Sequence, residues 1–209
     1  MRRKKTIFEN GDYRCNFPSA LHLATDSDYW RPVFQYINFT GGFAYATNAH
    51  ILVRQSFRFI NIEGIEKLEG KSIHQNIFRR IYADRYTSII RVTDAGIEVE
   101  NFVIGQKITY SVKNSTEIGK VPNYEGVINA ETLKGEHTVN YNQFGLNPRI
   151  FNRLINAMAI EPSTMNVRIL MPPTNNMTFM VFDENDENAG AGNQLGLIMP
   201  VMLADHIKY

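Results

Sequence analysis

The stretch EGKSIHQNIFRRIYADRYTSIIRVTDAGIEVENFVIGQKITYSV, residues 69–112, carries one complete structural unit. Its start, Glu69-Gly70-Lys71-Ser72-Ile73, leads into a helical pattern over 74–82. Ile73, Ile77 and Ile81 fall on one side of that pattern, and His74, Gln75, Arg79 and Arg80 are polar. Two strands follow at 88–92 and 96–100, and Thr93-Asp94-Ala95-Gly96 between them is a hairpin turn signal. A third strand at 106–112 alternates polar and apolar residues. The unit is strand, helix, three strands.

The same order returns at 135–203. Residues 138–141 read as a strand. Asn147 is a good N-cap and Pro148 suits the first helical position, where its missing N–H costs nothing. From 149 to 158, Ile150, Phe151, Leu154, Ile155 and Met158 form one apolar stripe. Strands are expected at 166–171, 178–182 and 195–199. The first third of the chain is an incomplete version. Pro32 would break a helix running through 31–39, so a strand starting after it fits better. Thr40-Gly41-Gly42 turns that strand into 43–46, and 51–54 is the next strand. The expected fold class is α+β, antiparallel sheets with helices on one side. The expected parts are a basic N-terminal segment at 1–16, a domain at 17–129 and a half-domain at 130–209, with the boundary within 126–134.

Composition fits an ordinary globular chain: of 209 residues, 44% are hydrophobic and 21% charged, too apolar for a disordered polymer. No run approaches the roughly 20 apolar residues of a membrane span. The basic start, Arg2-Arg3-Lys4-Lys5, precedes no apolar core of a secretion signal, and the single cysteine, Cys15, cannot form an intrachain disulfide. A cytoplasmic protein without membrane contact is expected. The net charge is +1, and removing the four basic residues at 2–5 leaves 18 basic against 21 acidic side chains. Any nucleic-acid role must therefore come from local patches rather than bulk charge.

Catalytic and metal patterns are weak, and no enzyme activity, metal or cofactor is expected. The five histidines show no HExxH pair and no zinc-ligand spacing, and neither a nucleophile elbow nor a phosphate-binding loop occurs. The acidic run Asp183-Glu184-Asn185-Asp186-Glu187-Asn188 starts like a calcium loop. Asn188 replaces its glycine and Gln194 its bidentate glutamate, so a solvated hairpin loop is the better reading.

Three scattered segments are informative together: Ala46-Thr47-Asn48-Ala49-His50-Ile51-Leu52-Val53, Gly119-Lys120-Val121-Pro122-Asn123-Tyr124-Glu125-Gly126-Val127-Ile128, and Leu197-Ile198-Met199-Pro200-Val201-Met202-Leu203. Each resembles a signature of the bacterial β sliding clamp, the processivity subunit of the replicative DNA polymerase. The family patterns are A-T-D-G-H-R-L, F-P-D-Y-R-R-V and V-M-P-M-R-L, and they occur here in the family's order. Residues 31–128 resemble the clamp's middle domain, and 135–203 the second half of its last domain. Asn48, Ala49, Ile51, Asn123 and Met202 depart from the patterns, and the helix expected before Arg31 shrinks to Leu21-His22-Leu23-Ala24.

The resemblance implies a DNA clamp-like fold of about one and a half domains, without enzymatic activity. It implies an apolar pocket that captures peptide motifs of polymerases and other clamp partners. Carried over by position, that pocket uses Thr47, Ala49, His50, Ile51, Leu52, Pro122, Val127, Met199, Pro200 and Val201. It also implies double-stranded DNA as a non-specific partner of the helices. The candidates are Arg79 and Arg80 on the first helix and Arg149, Asn152 and Arg153 on the second, faces that hold arginines and amides but no carboxylate. The alternative is a clamp-fold interaction module that has lost DNA. A ring is built of six such domains, so chains of this size would close one as a homo-oligomer of four.

Overall fold

The structure, a computed structural model, describes residues 17–27, 30–128, 138–140, 143–159, 167–174, 177–183 and 194–201. The basic segment 1–16 with Cys15, the acidic run from Glu184 to Asn188, and Met202 lie outside the described residues.

Eleven strands form two antiparallel sheets among the described residues. They are β1 (Tyr36–Thr40), β2 (Phe43–Thr47), β3 (Ile51–Ser56), β4 (Lys71–His74), β5 (Ser88–Thr93), β6 (Gly96–Asn101), β7 (Gln106–Tyr110), β8 (Lys113–Asn114), β9 (Val167–Leu170), β10 (Phe179–Asp183) and β11 (Gln194–Ile198). The larger sheet runs β8-β4-β1-β2-β3-β11-β10-β9, and the smaller is β5-β6-β7. Five residue pairs, from Gln194 opposite Gln55 to Ile198 opposite Ile51, join β11 to β3 and make the trailing meander continuous with the first.

Both faces of the large sheet are covered at its centre, so β3 is buried at all six positions rather than at every second one. Alternation instead sorts side chains between two cores. Ala44, Ala46, Ile51, Val53, Phe179, Val181 and Ile198 point to the main core. Tyr45, Leu52, Met180, Leu195 and Leu197 point the other way and build a second, smaller cluster with Tyr124.

The helices cover the main-core face. Helix α1 (Gln75–Asp84) lies over β4 and β1, and α2 (Pro148–Ala157) over β3 and β11. A single 3-10 turn, Leu21–Leu23, touches both helices and sits over β1 and β2. Phe78 and Ile81 of α1 and Leu154, Ala157 and Met158 at α2 are buried there with Leu21. The Asn147 side chain caps α2, its Oδ1 accepting from the Arg149 N–H at 3.0 Å and the Ile150 N–H at 3.4 Å. Gly196 lets α2 approach β11: a Cβ there would stand 2.5 Å from Met158 Sδ and 3.0 Å from Leu154 Cδ1. The buried face of the small sheet, Ile90, Val92, Ile97 and Val99, joins the same core.

Three expected elements differ. The lead-in to α1 is a strand through His74, and the helix starts one residue later. His74 is its N-cap, Nδ1 accepting from the Asn76 N–H at 3.2 Å. The strand expected directly after Pro32 is preceded by a 3-10 turn, Pro32–Gln35, because proline is well placed at a first helical position. No strand forms over 138–140: all three residues are exposed, so an extended segment there would bury no apolar side chain, and the Asn140 N–H donates to the Pro173 carbonyl instead. Among the described residues no helix is long and apolar enough to cross a membrane.

Candidate functional site

The turn between β2 and β3 starts the site. Asn48 organises it: its Oδ1 accepts from the N–H of His50 and of Ile51, each at 3.0 Å. Thr47 Oγ1 donates to the Ile51 carbonyl at 2.6 Å and accepts from the Ala49 N–H at 3.1 Å. This closed loop forces Ala49 into the left-handed region, at φ +73°. Ala49 and His50 are thereby pushed out to the surface at the sheet's end.

Two further segments close on this turn. The end of β11 is tied to it by the Met199 N–H, which donates to the His50 carbonyl at 2.9 Å. The 121–128 segment is held from below. Tyr124 stacks on Tyr45, with ring centres 4.5 Å apart and planes 8° from parallel, and its hydroxyl accepts from Asn38 Nδ2 at 2.8 Å. The Tyr45 hydroxyl donates to Glu125, whose carboxylate also takes the buried Arg54 guanidinium at 3.2 Å. Arg54 in turn lies over the Phe43 ring, 4.6 Å from its centre. Burial pushes the Tyr45 hydroxyl's pKa well above the usual tyrosine value, and the neighbouring Glu125 carboxylate adds to this against an opposing effect of Arg54. Burial likewise raises Tyr124, against its bond from Asn38. Both rings stay neutral, as a buried stack requires.

The result is a cavity of about 170 Å³ on the face of the sheet opposite the helices. Its lining includes Thr47, Ala49, His50, Ile51, Leu52, Pro122, Val127 and Met199, eight of the ten residues expected from sequence. Pro200 and Val201 do not line it. Beyond Met199 the chain leaves the sheet, and the Val201 N–H donates to the Gly145 carbonyl at 2.8 Å in an isolated bridge. The lining also includes Phe34, Asn123, Tyr124, Thr178 and Leu197, which sequence reasoning did not assign. Leu197 had a signal, since it lies two residues before Met199, and alternate residues of an extended chain share a side. Asn123 and Tyr124 sit inside the second quoted segment. Phe34 and Thr178 carried no signal, because only tertiary contact brings them in. Among the described residues no lysine, arginine, aspartate or glutamate lines the cavity. Val127 and Met199 stand at its margin, 49% and 43% exposed.

The five residues expected to meet DNA sit on the opposite, helical face. Arg79, Arg80, Arg149 and Asn152 are exposed. Arg153 is committed to the fold: Nε donates to the Leu23 carbonyl at 2.6 Å and Nη2 to the Thr25 carbonyl, fastening α2 to the 3-10 turn. Beneath α1 the His22 ring packs 5.4 Å from Tyr82 and 6.0 Å from Phe78. Burial, with the positive charges of Arg79 and Arg85, lowers its pKa to about 4. Among the described residues no group of three or more His, Cys, Asp or Glu could hold a metal ion.

No known sequence family and no curated protein sequence matches the chain. Solved structures do. The DNA polymerase III β subunit of Borrelia burgdorferi, in complex with a natural product, superposes with a TM-score of 0.58 at 14% identity, covering 90% of this chain and 60% of that one. The sliding clamp of Bartonella birtlesii bound to griselimycin gives 0.53 at 14% identity, over 88% of this chain and 64% of that one. The liganded DNA polymerase sliding clamp of Pseudomonas aeruginosa gives 0.51 at 14%, over 97% and 70%. The chain thus has the fold of bacterial sliding clamps while spanning 60–70% of the length of these three.

Proposed function

We propose that this clamp-fold chain is a non-enzymatic, processivity-type protein with two working faces. The apolar cavity captures a peptide motif of a polymerase or another clamp partner. The helical face carries duplex DNA without reading its sequence. The carrying observation is that residues from three distant segments, 47–52, 122–127 and 197–199, meet in one cavity in a fold shared with sliding clamps. Methionine, proline and aromatic walls adapt to a leucine or phenylalanine anchor, and full burial of one such side chain is worth roughly 1.5–3 kcal/mol. Solved clamps that hold a natural product or griselimycin support ligand capture by this fold.

The peptide half is tested by fluorescence anisotropy of a labelled clamp-motif peptide. Saturable binding that weakens at least about tenfold in Met199→Asp supports capture, because a carboxylate at the apolar margin is costly to desolvate. Equal binding by both proteins contradicts it. The DNA half is tested by titrating duplex DNA at several salt concentrations. Affinity is expected to fall with salt and to be lost when Arg79, Arg80 and Arg149 are changed together to glutamate. Arg153 is left out because its loss would loosen α2. The same commitment of Arg153 favours a second reading, an interaction module without DNA, which predicts peptide capture with no binding to duplex at low salt.

A further inference from the structure

One wall of the cavity is held in place by side chains. Tyr124 and Val127 line the cavity from the 121–128 segment. Among the described residues no backbone hydrogen bond joins that segment to a strand. Its own backbone bonds are internal, the Val127 N–H donating to the Tyr124 carbonyl at 3.3 Å and the Ile128 N–H to the Glu125 carbonyl at 3.1 Å. Two adjacent residues tie it to the sheet, Tyr124 by its stack and hydroxyl and Glu125 by its carboxylate. A longer bond, 3.4 Å from Thr178 Oγ1 to the Val127 carbonyl, adds little.

The partner of Glu125 is unusual. Among the described residues Arg54 is the only charged side chain that is buried. It stands on β3 opposite Tyr45 of β2, two residues from Leu52 of the cavity lining. Its Nη1 donates to both carboxylate oxygens of Glu125, at 3.2 and 3.4 Å, and its buried Nε finds no acceptor among the described residues. A buried cation that loses its counter-ion is costly, whereas a well-packed apolar pair in the same place is often as stable as the ion pair. Such a pair matters less for stability than for where it puts Glu125. Neither residue lines the cavity.

We propose that Arg54 and Glu125 are positioning residues for the cavity, a latch that holds the 124–127 turn as a closed wall and thereby sets the affinity for a ligand that neither residue touches. This rests on the reading of the cavity as a peptide site. The Glu125 side chain is 59% exposed and that of Arg54 8%, so the latch opens on the Glu125 side. Opening swings Tyr124 and Val127 away together, because Glu125 sits between them in one turn. Apparent affinity then follows the fraction of molecules with the wall closed.

Three variants of the full chain test this: Glu125→Ala, Arg54→Met and both together. Each deletes the same pair, so each should weaken binding of a labelled clamp-motif peptide at least about fivefold in fluorescence anisotropy, and the double variant should bind no worse than the poorer single. The double variant also removes the uncompensated charge that could unfold Glu125→Ala. Amide exchange gives a readout that general destabilisation would not move. In the double variant the Val127 and Ile128 amides should exchange at least about fivefold faster, with those of Leu52 and Leu197 at the wild-type rate. Wild-type affinity in the double variant, losses that multiply across the singles, or equal acceleration at all four amides would each overturn the proposal. If the wild-type chain takes no peptide, the peptide reading fails and exchange alone decides the latch: acceleration confined to Val127 and Ile128 upholds it, and any other pattern overturns it.

Discussion

Ala49 holds a conformation that an L-residue with a Cβ resists, at φ +73°, because Asn48 and Thr47 bond the turn around it. Glycine reaches the left-handed region at little cost, whereas alanine gives up about 1 kcal/mol there. Ala49→Gly is therefore expected to raise stability by about that amount in chemical denaturation, with an unchanged slope. His22 sets a pH dependence. Its folded pKa, about 4, lies below the ordinary 6.5, so folding favours the neutral ring. The stability held by that preference is complete above pH 6.5 and is lost as pH falls from 6.5 towards 4. His74, lowered by burial and by Lys113, acts in the same direction. Denaturation midpoints measured between pH 7 and 4 should decline, and His22→Phe should flatten most of that decline.

At the scale of elements, the contact between α2 and β11 depends on Gly196. A side chain there must displace Met158 Sδ or a Leu154 methyl, so Gly196→Val is expected to cost about 1–3 kcal/mol in thermal or chemical unfolding. Helix α2 was legible because its signals are local: Asn147 caps it, Pro148 starts it, and Leu154 and Met158 mark the buried stripe. The hairpins around Gly41-Gly42 and Asp94-Ala95 were legible for the same reason, since turn chemistry sits in adjacent residues. Strand β4 was legible as the lead-in to the helix, but its end was placed one residue early. It is four residues long, and its identity comes from pairing with β1 and β8 rather than from its own pattern. The 3-10 turn at Pro32–Gln35 was missed because proline stops a helix or starts one according to the residues on either side.

For the whole molecule, burial on both sides of the central strands gives the large sheet two distinct faces. One bears the helices with Arg79, Arg80 and Arg149, and the other bears the cavity. A peptide in the cavity and a duplex on the helices would then not compete, so in the account proposed here peptide affinity is independent of DNA concentration. Most of the cavity was legible as three short signatures, but its roof and floor were not. Phe34 arrives from a turn before β1, Thr178 from the start of β10, and the Tyr45–Tyr124 stack from pairing of distant segments. Amide chemical-shift mapping on the full chain shows whether this cavity holds an apolar peptide. Adding a clamp-motif peptide should move resonances of Thr47, His50, Val127, Leu197 and Met199 and leave those of Arg79 and Arg149 in place. Unmoved cavity resonances at saturating peptide, or shifts confined to the helices, would contradict the account.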